Sequence, residues 1–427
     1  MEHANPALCG RIGARTGSFV DNMKLPVHRW FRYSAGFSAD WVRFLLREKN
    51  LTGTDSVVLD PFAGIATTLA ACNSEHVTSI GLEPHPFVSR LAETKLDICR
   101  RSIGSLRNIF SNFRRQLKPL RILSHAEIPP LIEKCYSHEN IDELLSMKNS
   151  LATGGLSQGD ARIVWFVITA ILRSCSHVGT AQCQYVLPKK TKTGVQNPHR
   201  AFQEKAEQII EDVARLHYDR VPALARLIQA DAGNPATLKD DSVDFVVTSP
   251  PYPNNYDYAD ATRLEMTFWN EIEGWSDLHS AVRSRLLCSC TQHSTADRLQ
   301  VDHLLKDPIL APIRPEIDAV CEALGEIRLH KGGKKTYHTM VAAYFRDLGR
   351  IFRNLRRVCR PGAEICFVIG DSAPYGVYIP VDKWLGQLAV AEGFHSFRFE
   401  KIRDRNIKWK NRKHDVPLQE GRLWIQG

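Results

Sequence analysis

Twice within its first hundred residues the chain runs a short apolar stretch into an acid, turns, and enters a helix-like segment. Ser56-Val57-Val58-Leu59-Asp60 passes through Pro61-Phe62-Ala63-Gly64 into an Ala-, Leu- and Thr-rich segment over 65–72, and Val77 to Leu82 ends in Glu83 before a helical pattern from Pro86 through Lys95. Apolar runs that do not alternate with polar residues need cover on both faces, and a βαβα order supplies it with helices packed on both sides of a parallel sheet. The fold class expected is therefore α/β. Further strand signals fall at 227–231, at Asp244-Phe245-Val246-Val247-Thr248 and at 365–369. Helical spacing covers 344–359 with a stop at Arg360-Pro361-Gly362, and again 384–391, before apolar runs at 397–399 and 422–425 read as a closing hairpin pair.

Two stretches break this rhythm. Residues 97–225 show helical periodicity, many Arg and Lys and no convincing strand, and 263–335 form a second variable region. The organisation expected is a cofactor-binding half over 20–96, a helical insertion over 97–225, a catalytic segment over 226–262, a second insertion over 263–335 and a C-terminal part over 336–427. At 427 residues, with 43% hydrophobic and 24% charged, the chain has the composition of a globular protein of one enlarged domain or two. Its net charge of +9 favours a polyanionic partner, because Lys and Arg neutralise phosphates and release counterions. No apolar run reaches the length of a membrane span and residues 1–11 lack the apolar centre of a signal peptide, so no membrane partner and a cytoplasmic location are expected. None of the eleven cysteines forms a C-x-x-C pair. Cys288 and Cys290 form only a C-x-C, so the cysteines read as reduced, mostly buried thiols and no metal site is expected.

The chemistry concentrates at strand ends. Gly64 stands where backbone must approach a ligand without an intervening side chain, and Glu83, one βαβ unit later, is placed to accept hydrogen bonds from ribose hydroxyls. Thr248-Ser249-Pro250-Pro251-Tyr252 follows an apolar strand directly. Consecutive prolines fix φ and carry no N–H, so the carbonyls around them point in defined directions. An amino group conjugated to a base is a poor nucleophile. Accepting its N–H hydrogens localises its lone pair and stabilises the positive charge that develops on transfer, for which Ser249 Oγ and the Pro250 carbonyl are the candidates, with Tyr252 offering a face for an extruded base.

These residues resemble the amino-methyltransferase family of DNA modification enzymes, of the kind found in restriction-modification systems. Asp60-Pro61-Phe62-Ala63-Gly64 looks like the family's first motif, Glu83 its second-motif acid, Asp231 its third, and Ser249-Pro250-Pro251-Tyr252 its catalytic motif; the likeness covers about 28–95 and most of 227 to the C-terminus. The resemblance implies a Rossmann-like class I methyltransferase sheet with helical insertions and S-adenosylmethionine as cofactor. By it, Asp60, Pro61, Phe62, Gly64 and Thr67 line the methionine end, Glu83 binds the ribose, Asp231 and Ala232 contact the adenine, and the segment from His28 through Tyr33 to Ser38 closes over the cofactor. Where the family usually reads Gly-x-Gly-Thr, this chain has Gly64-Ile65-Ala66-Thr67, which puts a methyl group on the cofactor loop.

Double-stranded DNA is the partner the resemblance implies. Asn254, Asn255, Tyr256 and Asp371 are candidates to border the base pocket. Lys189, Lys190 and Lys192 in a lysine-rich loop, and Arg403 and Arg405 in the basic stretch 401–413, are candidates for phosphate contacts. Serine at the head of the catalytic motif resembles cytosine-N4 enzymes and makes adenine N6 the second choice. Carbon-5 methylation needs a cysteine beside proline, and Cys183 lacks one. RNA or protein-glutamine methyltransferases share the fold but typically carry Asp or Asn before the prolines, and a catalytically inert nucleic-acid-binding relative has only Ala66 in its favour.

Overall fold

The structure, a computed structural model, describes residues 19–33, 36–118, 128–180, 185–216, 224–234, 238–294, 300–333, 335–405 and 416–427. Seven strands form one sheet in the order β5-β2-β1-β6-β7-β9-β8, with β1 at Val57–Asp60, β2 at Thr78–Leu82, β5 at Ala225–Ile228, β6 at Val243–Thr248, β7 at Cys359–Gly370, β8 at Ser396–Arg405 and β9 at Leu418–Gln426. The β2, β1, β6 and β7 neighbours run parallel, as does β5 beside β2, and β9 pairs antiparallel with both β7 and β8. This is the Rossmann-like sheet of class I methyltransferases. The chain builds outward from β1 through β2 to β5, then returns to begin again at β6 on the other side. The C-terminal ends of β1 and β6 thus flank a topological switch point, where open α/β sheets bind ligands.

Period-two geometry explains the unbroken apolar runs. Val58, Phe245, Val247, Cys366 and Val368 point to one face and pack with Trp41, Val42 and Leu45 of helix α1 (Ala39–Glu48) and Ala71 and Cys72 of α2 (Thr67–Ser74). Leu59, Val246, Ile365 and Phe367 point to the other face, in the same core as buried residues of α10 (Tyr337–Val358) and α11 (Val381–Ala391). Both faces are dry, so every second residue as well as every first must be apolar.

Helices α3 (Pro86–Arg100), α4 (Ile103–Gln116), α5 (His138–Thr153), α6 (Gln158–Cys175), α7 (Pro198–Leu216) and α8 (Arg263–Phe268) share a further core, with Phe87, Phe110, Phe166, Phe202 and Phe268 among its buried members. α9 (Arg314–Leu329) packs beside α10. The helical reading of 97–225 needs one correction: an antiparallel hairpin of β3 (Val178–Thr180) and β4 (Val186–Thr191) lies within it. Three Lys-Thr residues of β4 are exposed, and a strand with one buried side chain at its start leaves no apolar pattern to read. The lysine-rich loop is therefore partly strand. The helix stop expected at Arg360-Pro361-Gly362 is present, and the three residues also lie within β7, near its start. The helix does end at Val358, since Pro361 disfavours helical geometry at Arg360, and Gly362 takes φ +82° as the chain turns straight into the sheet.

Candidate active site

One cavity opens over the C-terminal ends of β1, β2 and β6. Its wall brings together Pro61, Phe62, Gly64 and Thr67 from the β1–α2 turn, Glu83 after β2, Asp231 and Ala232 after β5, and Ser249 and Pro251 after β6. Tyr33, Gly36 and Phe37 line it from the N-terminal segment. That segment is tied down from both ends: Asp212 on α7 accepts from Arg29 Nε at 2.9 Å and from Trp30 Nε1 at 2.8 Å, while Ser38 Oγ caps α1 through Trp41 N at 3.3 Å.

The β1–α2 turn is shaped by two left-handed residues, Gly64 at φ +51° and Ala66 at φ +60°. A Cβ on Gly64 would sit 3.3 Å from Tyr33 Cε1, on the cavity wall. Ala66 differs. Its methyl is fully buried in a small core with Ala63, Leu69, Ala92 and Leu96, so the expectation that it intrudes on the cofactor loop is corrected: the backbone rotates it into the core. Glu83 braces the same turn. Its Oε2 accepts from Gly64 N at 2.9 Å and its Oε1 from His85 N at 2.8 Å, and burial pushes its carboxyl up to about 7. His85 also lines the cavity; its Nε2 meets Thr262 Oγ1 at 3.0 Å, its Nδ1 is buried with no protein partner, and burial lowers it to about 3, so the ring is neutral.

Asp60 lies beneath the cavity rather than on its wall. It is buried, pushed up to about 6 by desolvation, and fully engaged: Oδ1 accepts from Phe62 N at 3.0 Å and Thr248 Oγ1 at 2.5 Å, and Oδ2 from Thr68 Oγ1 at 2.5 Å. It couples the end of β1 to the end of β6, directly before Ser249. Ser249 Oγ donates to Val368 O at 3.2 Å. With its proton spent there, the oxygen keeps lone pairs to accept a further donor. Pro250 is buried between its neighbours.

Tyr252 stands partly buried below the Arg405 guanidinium, 5.1 Å from its ring centroid, and Arg405 also donates to Asp371 O at 2.7 Å. Arg405 is thus built in beside Ser249-Pro250-Pro251-Tyr252, and Arg403 is paired with Glu420 at 3.0 Å. Asp371 accepts from Tyr378 Oη at 3.1 Å. Asn254 is exposed, whereas Asn255 Oδ1 accepts from Thr291 N at 2.9 Å and joins the loop after β6 to the second variable region. Tyr256 stacks on Tyr185 at 5.6 Å and meets Tyr258, a cavity residue, edge-on at 4.4 Å. Lys189 and Lys190 are exposed on β4, but Lys192 turns back to donate to Arg173 O at 2.5 Å. Cys183 and the basic residues from 406 to 413 lie outside the described residues.

Sequence reasoning missed several members of the wall. Leu286 and Leu287 reach it from the second variable region, where no local pattern marks them. His85 sat two residues after the motif acid Glu83, and its strand-end placement was the available signal.

No protein-family model matches the chain. It is 25% identical over 425 residues to Type II methyltransferase M.BsoBI of Geobacillus stearothermophilus, covering 91% of this chain and 82% of that protein. Type II methyltransferase M.AvaI of Nostoc is 26% identical over 423 residues, covering 88% and 81%. The chain is similar to Type II methyltransferases along nearly its whole length. Among solved structures, the rRNA methyltransferase aviRa from Streptomyces viridochromogenes superposes with a TM-score of 0.31 at 10% identity, over 94% of this chain and 85% of that one. The fold stated above rests on this chain's own strand order. No helix among the described residues is long and apolar enough to cross a membrane.

Proposed function

We propose that the chain is an S-adenosylmethionine-dependent DNA methyltransferase that modifies an exocyclic amino group of a base, cytosine N4 in preference to adenine N6. The observation that carries this reading is that Ser249 and Pro251 share one cavity wall with Gly64, Glu83 and Asp231. The Type II methyltransferase relatives support it independently.

The residues present fit the donor. Glu83 and Asp231 give an acidic lining suited to a cationic, hydroxyl-bearing ligand, Gly64 keeps the turn clear of a side chain, and the unpartnered His85 Nδ1 offers a polar contact. Phe62, Gly64, Thr67 and Tyr33 would hold the methionine end, Glu83 the ribose, and Asp231 with Ala232 the adenine; Asn354 Nδ2 fixes the Ala232 carbonyl at 3.1 Å. Bound there, S-adenosylmethionine supplies an electrophilic methyl group.

The chain's own residues then act on the amine. Ser249 Oγ and the Pro250 carbonyl accept its two hydrogens, which draws the nitrogen lone pair toward the donor and stabilises the charge that forms. One proton leaves the methylated nitrogen for water, with no covalent enzyme intermediate. The base reaches the site by extrusion from the duplex, stacking on the face of Tyr252 opposite Arg405. The serine at the head of the motif supports the N4 preference.

The test incubates the purified chain with labelled methyl donor and unmethylated genomic DNA, digests to nucleosides and identifies the labelled one. N4-methylcytosine is expected, with Ser249→Ala lowering the rate by about 100-fold or more while donor binding survives. N6-methyladenine would overturn the base assignment alone, and label in RNA or protein but not DNA would overturn the function.

A further inference from the structure

Behind the Leu286-Leu287 wall, three side chains from two segments converge. Asp257 stands five residues after Tyr252, and Cys290 and His293 lie on one turn in which His293 N donates to Cys290 O at 3.1 Å. The three are buried, at 5%, 0% and 7% exposure, and one ligand atom of each lies within 4.8 Å of the others.

The imidazole decides what this cluster is for. His293 Nδ1 lies 2.9 Å from Leu287 O. A carbonyl only accepts, so Nδ1 carries a proton and Nε2 is the nitrogen that faces the cluster, where its lone pair serves a cation once any proton on it is displaced. Nε2 is buried with no hydrogen-bond partner, and its approach to Asp257 Oδ1, 3.8 Å, is too long for one. A backbone carbonyl on one ring nitrogen, with the other turned into a cluster of donor atoms, is the arrangement of a metal-ligating histidine with its outer support already in place. Asp257 is held in a similar way: Arg283 donates to Oδ2 at 3.0 and 2.7 Å, while Oδ1 accepts from Ala259 N at 3.2 Å and faces His293 with a lone pair to spare. The two segments are also clamped beside the cluster, where Asn255 N donates to Ser289 O at 3.2 Å.

We propose that Asp257, Cys290 and His293 bind a zinc-class divalent cation. Thiolate, imidazole and carboxylate together are the borderline-soft donor set such an ion prefers. Ligand atoms around tetrahedral zinc lie roughly 3.5 Å apart, so the cluster closes by about 1 Å on binding. The Cys290 thiol, and His293 Nε2 where it is protonated, give their protons to solvent as the bonds to the metal form. The fourth position is left to water. His293 also borders a polar cavity that adjoins the first and is lined by Arg283, Arg285, Arg346 and Arg350. The ion would clip 287–293, and with it the Leu286-Leu287 wall, to the loop that follows the catalytic motif. Sequence inspection for paired cysteines passes over a site of this kind, whose ligands are a Cys-x-x-His and a distant acid.

The inference does not depend on the methyl-transfer reading, because its readout is metal content. The full chain, purified without chelator or metal-affinity resin, is mixed with zinc chloride, desalted and measured by inductively coupled plasma mass spectrometry; about one zinc per chain is expected. Cys290→Ser and His293→Ala should each weaken zinc binding by at least about tenfold, while Cys321→Ala, a buried cysteine outside the cluster, should not. Cobalt loading of the unaltered chain needs no variant and should give tetrahedral absorption with a thiolate-to-cobalt band. A wild-type chain that retains no more zinc than the Cys290→Ser and His293→Ala variants, or whose cobalt form lacks the thiolate band, overturns the assignment.

Discussion

Gly64 and Ala66 occupy the same left-handed region two residues apart, yet the side chain each could carry faces a different environment. A methyl on Gly64 would press on Tyr33 at the cavity wall, whereas the one on Ala66 is packed in the core. Gly64→Ala should therefore cost about 1–2 kcal/mol in urea unfolding and weaken donor binding in a titration. For Ala66→Gly the relief of left-handed strain, about 1–2 kcal/mol, is offset by a lost buried methyl and a freer unfolded chain. Its stability should change by less than about 1 kcal/mol and donor affinity by less than about twofold. A large gain in affinity would show that the methyl obstructs the cavity after all. Glu83 makes a pH-dependent claim. Its carboxyl is raised to about 7 by burial, so below that pH the folded protein holds it protonated. A ligand that donates hydroxyl hydrogens to it prefers the ionised form. Donor affinity, read by calorimetry, should therefore rise as pH increases through about 7 and level off above. The same carboxyl opposes folding as it ionises, so stability contributed by its protonated form is lost from the unfolded pKa upward to about 7. Glu83→Gln should flatten the affinity profile.

At the scale of elements, the helical region 97–225 is joined to the segment that follows β6 by a buried fork. Arg173 on α6 donates to Glu265 on α8 at 2.5 and 3.0 Å and to Ala261 O at 2.7 Å, with the Glu265 side chain 1% exposed. Removing the guanidinium leaves a desolvated carboxylate. Arg173→Ala is expected to lower stability by about 3–5 kcal/mol in denaturant unfolding. A loss below about 1 kcal/mol would mean that water reaches Glu265 and the two regions are only loosely joined. The β3–β4 hairpin makes a second connection, through Tyr185, whose hydroxyl accepts from Asp257 N at 2.6 Å and whose ring stacks on Tyr256. The element that no sequence pattern announced is thus the one that braces the loop after Ser249-Pro250-Pro251-Tyr252. Its strand signal was weak because β4 points mostly Lys and Thr into solvent.

Across the whole molecule, the net charge of +9 and the exposed Lys189 and Lys190 bear on binding to a polyanion. If both lysines contact phosphates, Lys189→Ala with Lys190→Ala should reduce the slope of log affinity against log salt by about 2, measured by anisotropy on an unmethylated duplex. An unchanged slope would make them solvated surface residues. What the sequence determined by itself is the part of the protein set within a few residues of chain. The apolar runs at 57–59 and 245–247, the turn at Gly64, the acid at Glu83 and the rigid Ser249-Pro250-Pro251 corner are all dictated by local periodicity and backbone restriction, and they carried the fold and most of the cavity. Tertiary structure alone decided the contacts that close across long separations. Asp60 meets Thr248 at a separation of 188 residues, Leu286 and Leu287 complete a wall built elsewhere, Ala66 turns its methyl inward, and Asp257 finds Cys290 and His293. None of these follows from local propensity, because burial and side-chain direction are properties of the packed sheet and helices, not of the segment that supplies the residue.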